Sequence, residues 1–127
     1  MIVATLDTGA LIAMEKQKAR GMMLLRAVRE HRAQLHAITP VVSEWWRGRS
    51  DVRERIATAV TLVPFPVASA LAAGVALAKM RGGTRLAVDV MVMAYAATLG
   101  GSLVYTSDPD DLLAVAEHFP TVRVLAV

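Results

Sequence analysis

Short apolar, β-branched runs alternate with helical stretches along the whole chain, and this alternation limits the fold more than any other feature. Strand-like runs cover Ile2 to Leu6, Gln34 to Ile38, Thr61 to Pro64, Ser102 to Thr106 and Val122 to Leu125. Helical patterns lie between them, at Thr8 to Met14, Ala19 to Arg32, Pro40 to Arg47, Val52 to Ala59, Val67 to Lys79, Leu86 to Leu99 and Pro109 to His118. Strands separated by helices pair in parallel, because a parallel neighbour needs a long crossover, and the crossover packs back on the sheet with right-handed sense. The pattern therefore predicts a three-layer α/β/α sandwich around a central five-stranded parallel sheet. A chain of 127 residues, 55% of them apolar, can fill the core of one domain spanning residues 1–127 and has no room for two.

Local chemistry explains several of the boundaries. Thr39-Pro40 and Asp108-Pro109 each set a capping side chain before a proline suited to the first helical position. Gly82-Gly83-Thr84 stops one helix and caps the next, and Arg26 and Glu30 stand one turn apart on the same helix side. The stretches Ile56 to Ala78, with no charge, and Leu86 to Ser107, with Asp89 alone, are long enough to span a bilayer. Pro64 and Pro66 break the first, and Gly100-Gly101 followed by a β-rich run break the second, so each is expected to be a helix plus a strand. No basic segment precedes the apolar run at Met1, and the chain has no cysteine. Both point to a cytoplasmic protein without a disulfide framework or a sulfur-built metal site. The formal charge of +3 rests on 14 basic residues against 11 acidic ones, a lean too small to identify a partner.

The informative feature for function is the isolation of single carboxylates in apolar surroundings. Asp7 is the only charge from Met1 to Met14, Glu44 the only one from Ala33 to Trp46, and Asp89 the only one from Leu86 to Ser107. An ionised carboxylate left unpaired in an apolar setting costs several kcal/mol or shifts its pKa, so each needs a partner or a ligand. Asp7 ends the first strand and Asp108 follows the fourth. In a doubly wound sheet whose order reverses beside strand one, those two ends are neighbours at the crevice where ligands bind. Asp89 shares a helix face with Val92, Met93 and Ala96, and Glu44 lies one turn into the helix after strand two, so all four can converge at one sheet edge. Two such charges about 4 Å apart repel by roughly 4 kcal/mol at an effective dielectric of 20, which calls for a cation. Oxygen ligands without sulfur or nearby imidazole select Mg²⁺ or Mn²⁺. An ion so held suits phosphodiester hydrolysis.

Each residue also has a plainer role open to it. Asp7 and Asp108 suit helix caps, Glu44 a pairing with Arg47, and Asp89 a pairing with Arg85 one turn earlier. His31, His36 and His118 share no ligand spacing and fit surface or strand-edge positions, while Met22, Met23, Met91 and Met93 fit core filler. The run Arg47 to Arg55 reads as a solvated, salt-bridged helix start or as a phosphate-contacting patch beside Glu44. Trp45 and Trp46 are adjacent, so they cannot both face one core, and one is free to meet a partner.

With these residues in view, the chain resembles the PIN domains, and among them the VapC-type toxins of bacterial toxin-antitoxin pairs. The resemblance rests on Leu6-Asp7-Thr8-Gly9-Ala10-Leu11-Ile12-Ala13, on Pro40-Val41-Val42-Ser43-Glu44-Trp45-Trp46-Arg47-Gly48, on Val88-Asp89-Val90, and on Tyr105-Thr106-Ser107-Asp108-Pro109-Asp110-Asp111-Leu112. It implies a sheet of strand order 3-2-1-4-5 and a Mg²⁺- or Mn²⁺-dependent endoribonuclease whose acidic quartet is Asp7, Glu44, Asp89 and Asp108. Thr8 and Thr106 match hydroxyls that support the carboxylates, and Asp110 or Asp111 matches a further acidic contact. Many relatives carry a second aspartate shortly before the one matching Asp89, where this chain has Thr84, Arg85 and Leu86. The resemblance further implies an RNA substrate, a homodimer and a VapB-type antitoxin that blocks the acidic pocket. Trp45, Trp46, Arg47 and Arg49 are candidates to contact RNA or antitoxin.

Two other readings stand beside this one. A phosphatase using Asp7 as phospho-acceptor would want a second aspartate two residues on, where the chain has Gly9. A non-catalytic module would use the acidic pocket only to dock a basic peptide. A dinucleotide site is excluded, since no glycine-rich turn follows the first strand.

Overall fold

A computed structural model describes residues 1–100 and 102–127, so Gly101 lies outside the described residues. The five strands are β1 (Ile2–Leu6), β2 (Ala33–Ile38), β3 (Thr61–Val63), β4 (Leu103–Thr106) and β5 (Arg123–Ala126). They form one parallel sheet in the order β3-β2-β1-β4-β5, which bears out the expected topology. Among the described residues seven helices fill the crossovers: α1 (Thr8–Glu15), α2 (Ala19–Arg29), α3 (Thr39–Trp45), α4 (Asp51–Ala59), α5 (Val67–Lys79), α6 (Ala87–Ala97) and α7 (Pro109–Ala116). A 3₁₀ turn at Gly83–Leu86 leads into α6. No helix among the described residues is long and apolar enough to cross a membrane.

The strand order reverses beside β1, which pairs with β2 on one side and with β4 on the other. The chain leaves β1 and β4 in opposite directions around the sheet, and the crevice between their carboxyl ends is the topological switch point. Alternate β1 residues serve the two helical layers. Ala4 and Leu35 line the face under α2, while Thr5 and His36, paired across β1 and β2, lie on the other. Leu6, Leu11, Leu35, Ile38, Met93 and Val104 are fully buried and lock the layers together.

Four local expectations differ from what is found, and the first is Met23, expected in the core but 67% exposed. Neither Thr39 nor Asp108 caps its helix through the side chain. Thr39 lies inside α3 and its Oγ1 accepts from the Phe65 amide at 3.2 Å, a tertiary bond that outcompetes the local cap. The glycines Gly82 and Gly83 adopt positive φ and open the 3₁₀ turn, whereas Leu86 precedes α6 without a side-chain cap. His36 is no strand-edge residue: β2 is an inner strand, and His36 Nδ1 stands 2.6 Å from the Tyr95 hydroxyl of α6. Burial holds the His36 imidazole below its usual pKa.

Candidate active site

The four isolated carboxylates come from four different elements and line one pocket of about 170 Å³ at the switch point. Asp7 follows β1 directly and is buried; Glu44 sits in the last turn of α3, Asp89 in the first turn of α6, and Asp108 before α7. Asp111, in the first turn of α7, is a fifth carboxylate in the wall, whereas Asp110 is not among the lining residues.

Asp7 serves two ends at once. Its Oδ1 accepts from the Ala10 amide at 2.8 Å and caps α1, so the plainer role open to it is real. Yet the same carboxylate faces the pocket, where burial raises its pKa, the Thr106 hydroxyl and the Ala10 amide counter that rise, and the charges of Asp108 and Glu44 add to it. Thr106 Oγ1 in turn accepts from the Asp108 amide at 3.1 Å, fixing the loop that carries Asp108. The Thr8 hydroxyl donates to Glu44 Oε1 at 2.6 Å, so both threonines support carboxylates. Glu44 makes no ion pair with Arg47, whose Nε instead donates to the Glu44 carbonyl at 3.3 Å.

Asp89 shows the strongest effect. Its carboxyl is pushed up to about 6, first by burial, then by the charges of Asp7, Asp111 and Glu44, with Arg85 opposing. Arg85 is near enough to be felt but forms no ion pair with it among the described residues. Each neighbouring negative charge disfavours the ionised form of the others. Among the described residues no group of three or more acidic or imidazole side chains is closed into a metal-holding arrangement. The acids share the pocket without meeting at one point.

The donor chemistry fits a hard divalent cation, since every carboxylate or hydroxyl in the wall offers oxygen and none offers sulfur or imidazole nitrogen. Ser107 and Gly9 complete the floor, and sequence reasoning missed their contact. A Cβ on Gly9 would collide with Ser107 Oγ and stand 3.2 Å from Ser107 Cβ, so the first turn of α1 approaches the β4–α7 loop as closely as a residue without a side chain allows. That crowding also denies position 9 the second aspartate a phosphatase would need.

Next to Glu44 in the chain, Trp45 proves to be core rather than contact surface, at 2% exposure, while Trp46 is exposed. The Trp45 indole Nε1 donates to Glu15 Oε1 at 3.0 Å. Arg49 pairs with Glu54 at 2.9 Å, and Arg47 remains exposed beside Glu44. Glu15 and Arg53, which hold this region together, carried no signal in the sequence because their pairing spans 38 residues.

No family model matches the chain, and no curated protein does. Solved structures do. A chain of the VapBC2 complex from Rickettsia felis, bound to a DNA fragment from its promoter, superposes with a TM-score of 0.70 at 12% identity over 99% of each chain. A chain of DNA-bound VapBC from Salmonella typhimurium gives 0.64 at 16% identity, covering 99% of this chain and 98% of that one. This chain thus has the fold of those VapBC chains, a five-stranded PIN-like α/β/α architecture.

Proposed function

We propose that the protein is a Mg²⁺- or Mn²⁺-dependent endoribonuclease acting as the toxin of a toxin-antitoxin pair. The observation that carries this reading is the gathering of Asp7, Glu44, Asp89 and Asp108 around one pocket, with the Asp89 carboxyl raised by burial and then by its acidic neighbours. The fold shared with VapBC chains supports the toxin half of it. These four carboxylates would hold the ion, with Asp111 adding charge at the wall. When bound, such an ion polarises water and offsets the charge that develops on a phosphoryl group. The chain's own part is orientation: Thr8 holds Glu44, Thr106 holds Asp7 and the Asp108 loop, and the Ala10 amide fixes one Asp7 oxygen. In this reading Trp46 and Arg47 would meet RNA or antitoxin, the first by stacking and the second by phosphate contact. An antitoxin would reach the acidic pocket with a basic side chain.

A homodimer belongs to the same proposal. The outer side of α5 presents Val67, Leu71 and Val75 at 75%, 68% and 59% exposure, with Ala70, Gly74 and Ala78 among them. A helix apolar on its outer side as well as its inner one is ordinarily covered.

Cleavage of single-stranded RNA in Mg²⁺ tests the enzyme assignment. Asp7→Asn and Asp89→Asn should each lower the rate at least ~100-fold, the size of effect that follows removal of one strong transition-state interaction, with the fold unchanged by circular dichroism. Undiminished cleavage by both variants would remove these residues from the reaction. The open spacing of the acids favours one second reading, a docking site for a basic peptide. Failure of the wild-type chain to bind Mn²⁺ or cut RNA would select it.

A further inference from the structure

Glu44 is held in the acidic set by contacts from outside its own helix. It stands in the last turn of α3, a seven-residue helix too short to keep its own end ordered, and the following residues leave helical geometry at once. Three bonds converge on this segment. Thr8 of α1 donates to the Glu44 carboxylate, Arg47 donates to its carbonyl, and the neighbouring Trp45 indole donates to Glu15. Thr8 and Glu15 are the first and last residues of α1, so α1 grips the end of α3 at two points.

The second grip is itself braced. Arg53 of α4 donates through Nε to Glu15 Oε1 and through Nη2 to Glu15 Oε2, both at 3.1 Å, a two-pronged pairing that fixes direction as well as distance. The third nitrogen of the same guanidinium, Nη1, donates to the Gly48 carbonyl at 3.0 Å. Arg53 thereby holds the Trp46–Ser50 loop, which carries Arg47. The Glu15 and Arg53 side chains are only 28% and 22% exposed, well below the other arginine–carboxylate pairs of the described residues.

From this geometry we infer that Glu15 and Arg53 are positioning residues for Glu44: their fork, acting through the Trp45 indole and the Gly48 carbonyl, sets where the Glu44 carboxylate stands in the pocket. The inference rests on the proposed metal-dependent reading for its catalytic meaning, but its structural content does not. Neither residue lines the pocket, so neither would touch ion or substrate.

The test uses the full chain with Glu15→Ala, and with Arg53→Lys as the milder variant that keeps the charge and loses the fork. In the metal-free chain, nuclear magnetic resonance should show the Thr8–Glu44 hydrogen bond broken while the amide signals of Asp7 and Ala10 stay in place. With metal, the Mg²⁺ concentration for half-maximal cleavage should rise roughly tenfold or more, with KM for RNA changed less than about twofold. Glu15→Gln, which keeps an acceptor for Trp45, should recover part of both effects. Persistence of the Thr8–Glu44 hydrogen bond in folded Glu15→Ala and Arg53→Lys overturns the inference, whatever the nuclease assay gives. Its disappearance in the variants of a chain whose wild type binds no metal and cuts no RNA upholds the inference and overturns the proposed function instead.

Discussion

Asp89 concentrates the electrostatics of the pocket in one side chain. Its carboxyl sits at about 6 against an ordinary value near 4, so the folded, metal-free chain retains a proton that the unfolded chain has released. Below pH ~4 both states are protonated; as the pH rises from there to about 6 the unfolded chain loses its proton first, so stability falls, and above about 6 the whole penalty is present. Metal-free Asp89→Asn should therefore be more stable than wild type at pH 7, by on the order of 1–2 kcal/mol after allowance for solvent screening, and equal to it near pH 4. Thermal unfolding at the two pH values checks this; a less stable variant at pH 7 would show that Arg85, rather than the acids, governs the site. At this scale the site was largely legible, because an isolated charge in an apolar run needs a reason that the sequence alone can pose. What was not legible is spacing: carboxylates from four elements share a pocket without closing on a point, and only side-chain coordinates reveal that.

At the scale of elements, the close approach of α1 to the β4–α7 loop decides how tightly the pocket floor is built. Gly9→Ala would drive a methyl into Ser107 Oγ and bring it within 3.2 Å of Ser107 Cβ. The serine must turn away, and the variant should lose about 1–3 kcal/mol, in keeping with overpacking elsewhere. In a double-mutant cycle with Ser107→Gly, most of that loss should disappear, which denaturant unfolding can measure; additive losses would place the strain elsewhere. The strands and helices themselves followed from periodicity to within a residue or two at most ends, and α5 matched at both. The caps did not. Thr39 and Asp108 have the right chemistry at the right places, but Thr39 Oγ1 is taken by Phe65, and Asp108 is tied through its amide to Thr106 with its carboxylate turned to other use. Local sequence states what a side chain can do, and distant partners decide which option it takes. The Glu15–Arg53 fork is the extreme case, a pairing with no local trace at all.

The whole molecule is a sheet with an acidic pocket at the carboxyl ends of its inner strands and an apolar helix, α5, exposed elsewhere on its surface. If α5 is the dimer face, Leu71→Glu should leave the fold and the pocket intact and convert a sedimenting dimer to a monomer, since a buried unpaired charge is costly at an interface core. A wild-type chain that sediments as a monomer would exclude the dimer. The order of the strands carries one more consequence. Ala4 of β1 pairs with Leu103 of β4, and Asp7 shares its pocket with Asp108 and Asp111. Almost the full span of the chain must be present before these partners meet. Contacts so distant in sequence form slowly and late. While a ribosome is still making this polypeptide, the emerging part lacks some of its acids, and a molecule cut short before Asp108 never acquires the rest. Whatever the acidic pocket does is withheld until the segment that carries Asp108 and Asp111 has been made.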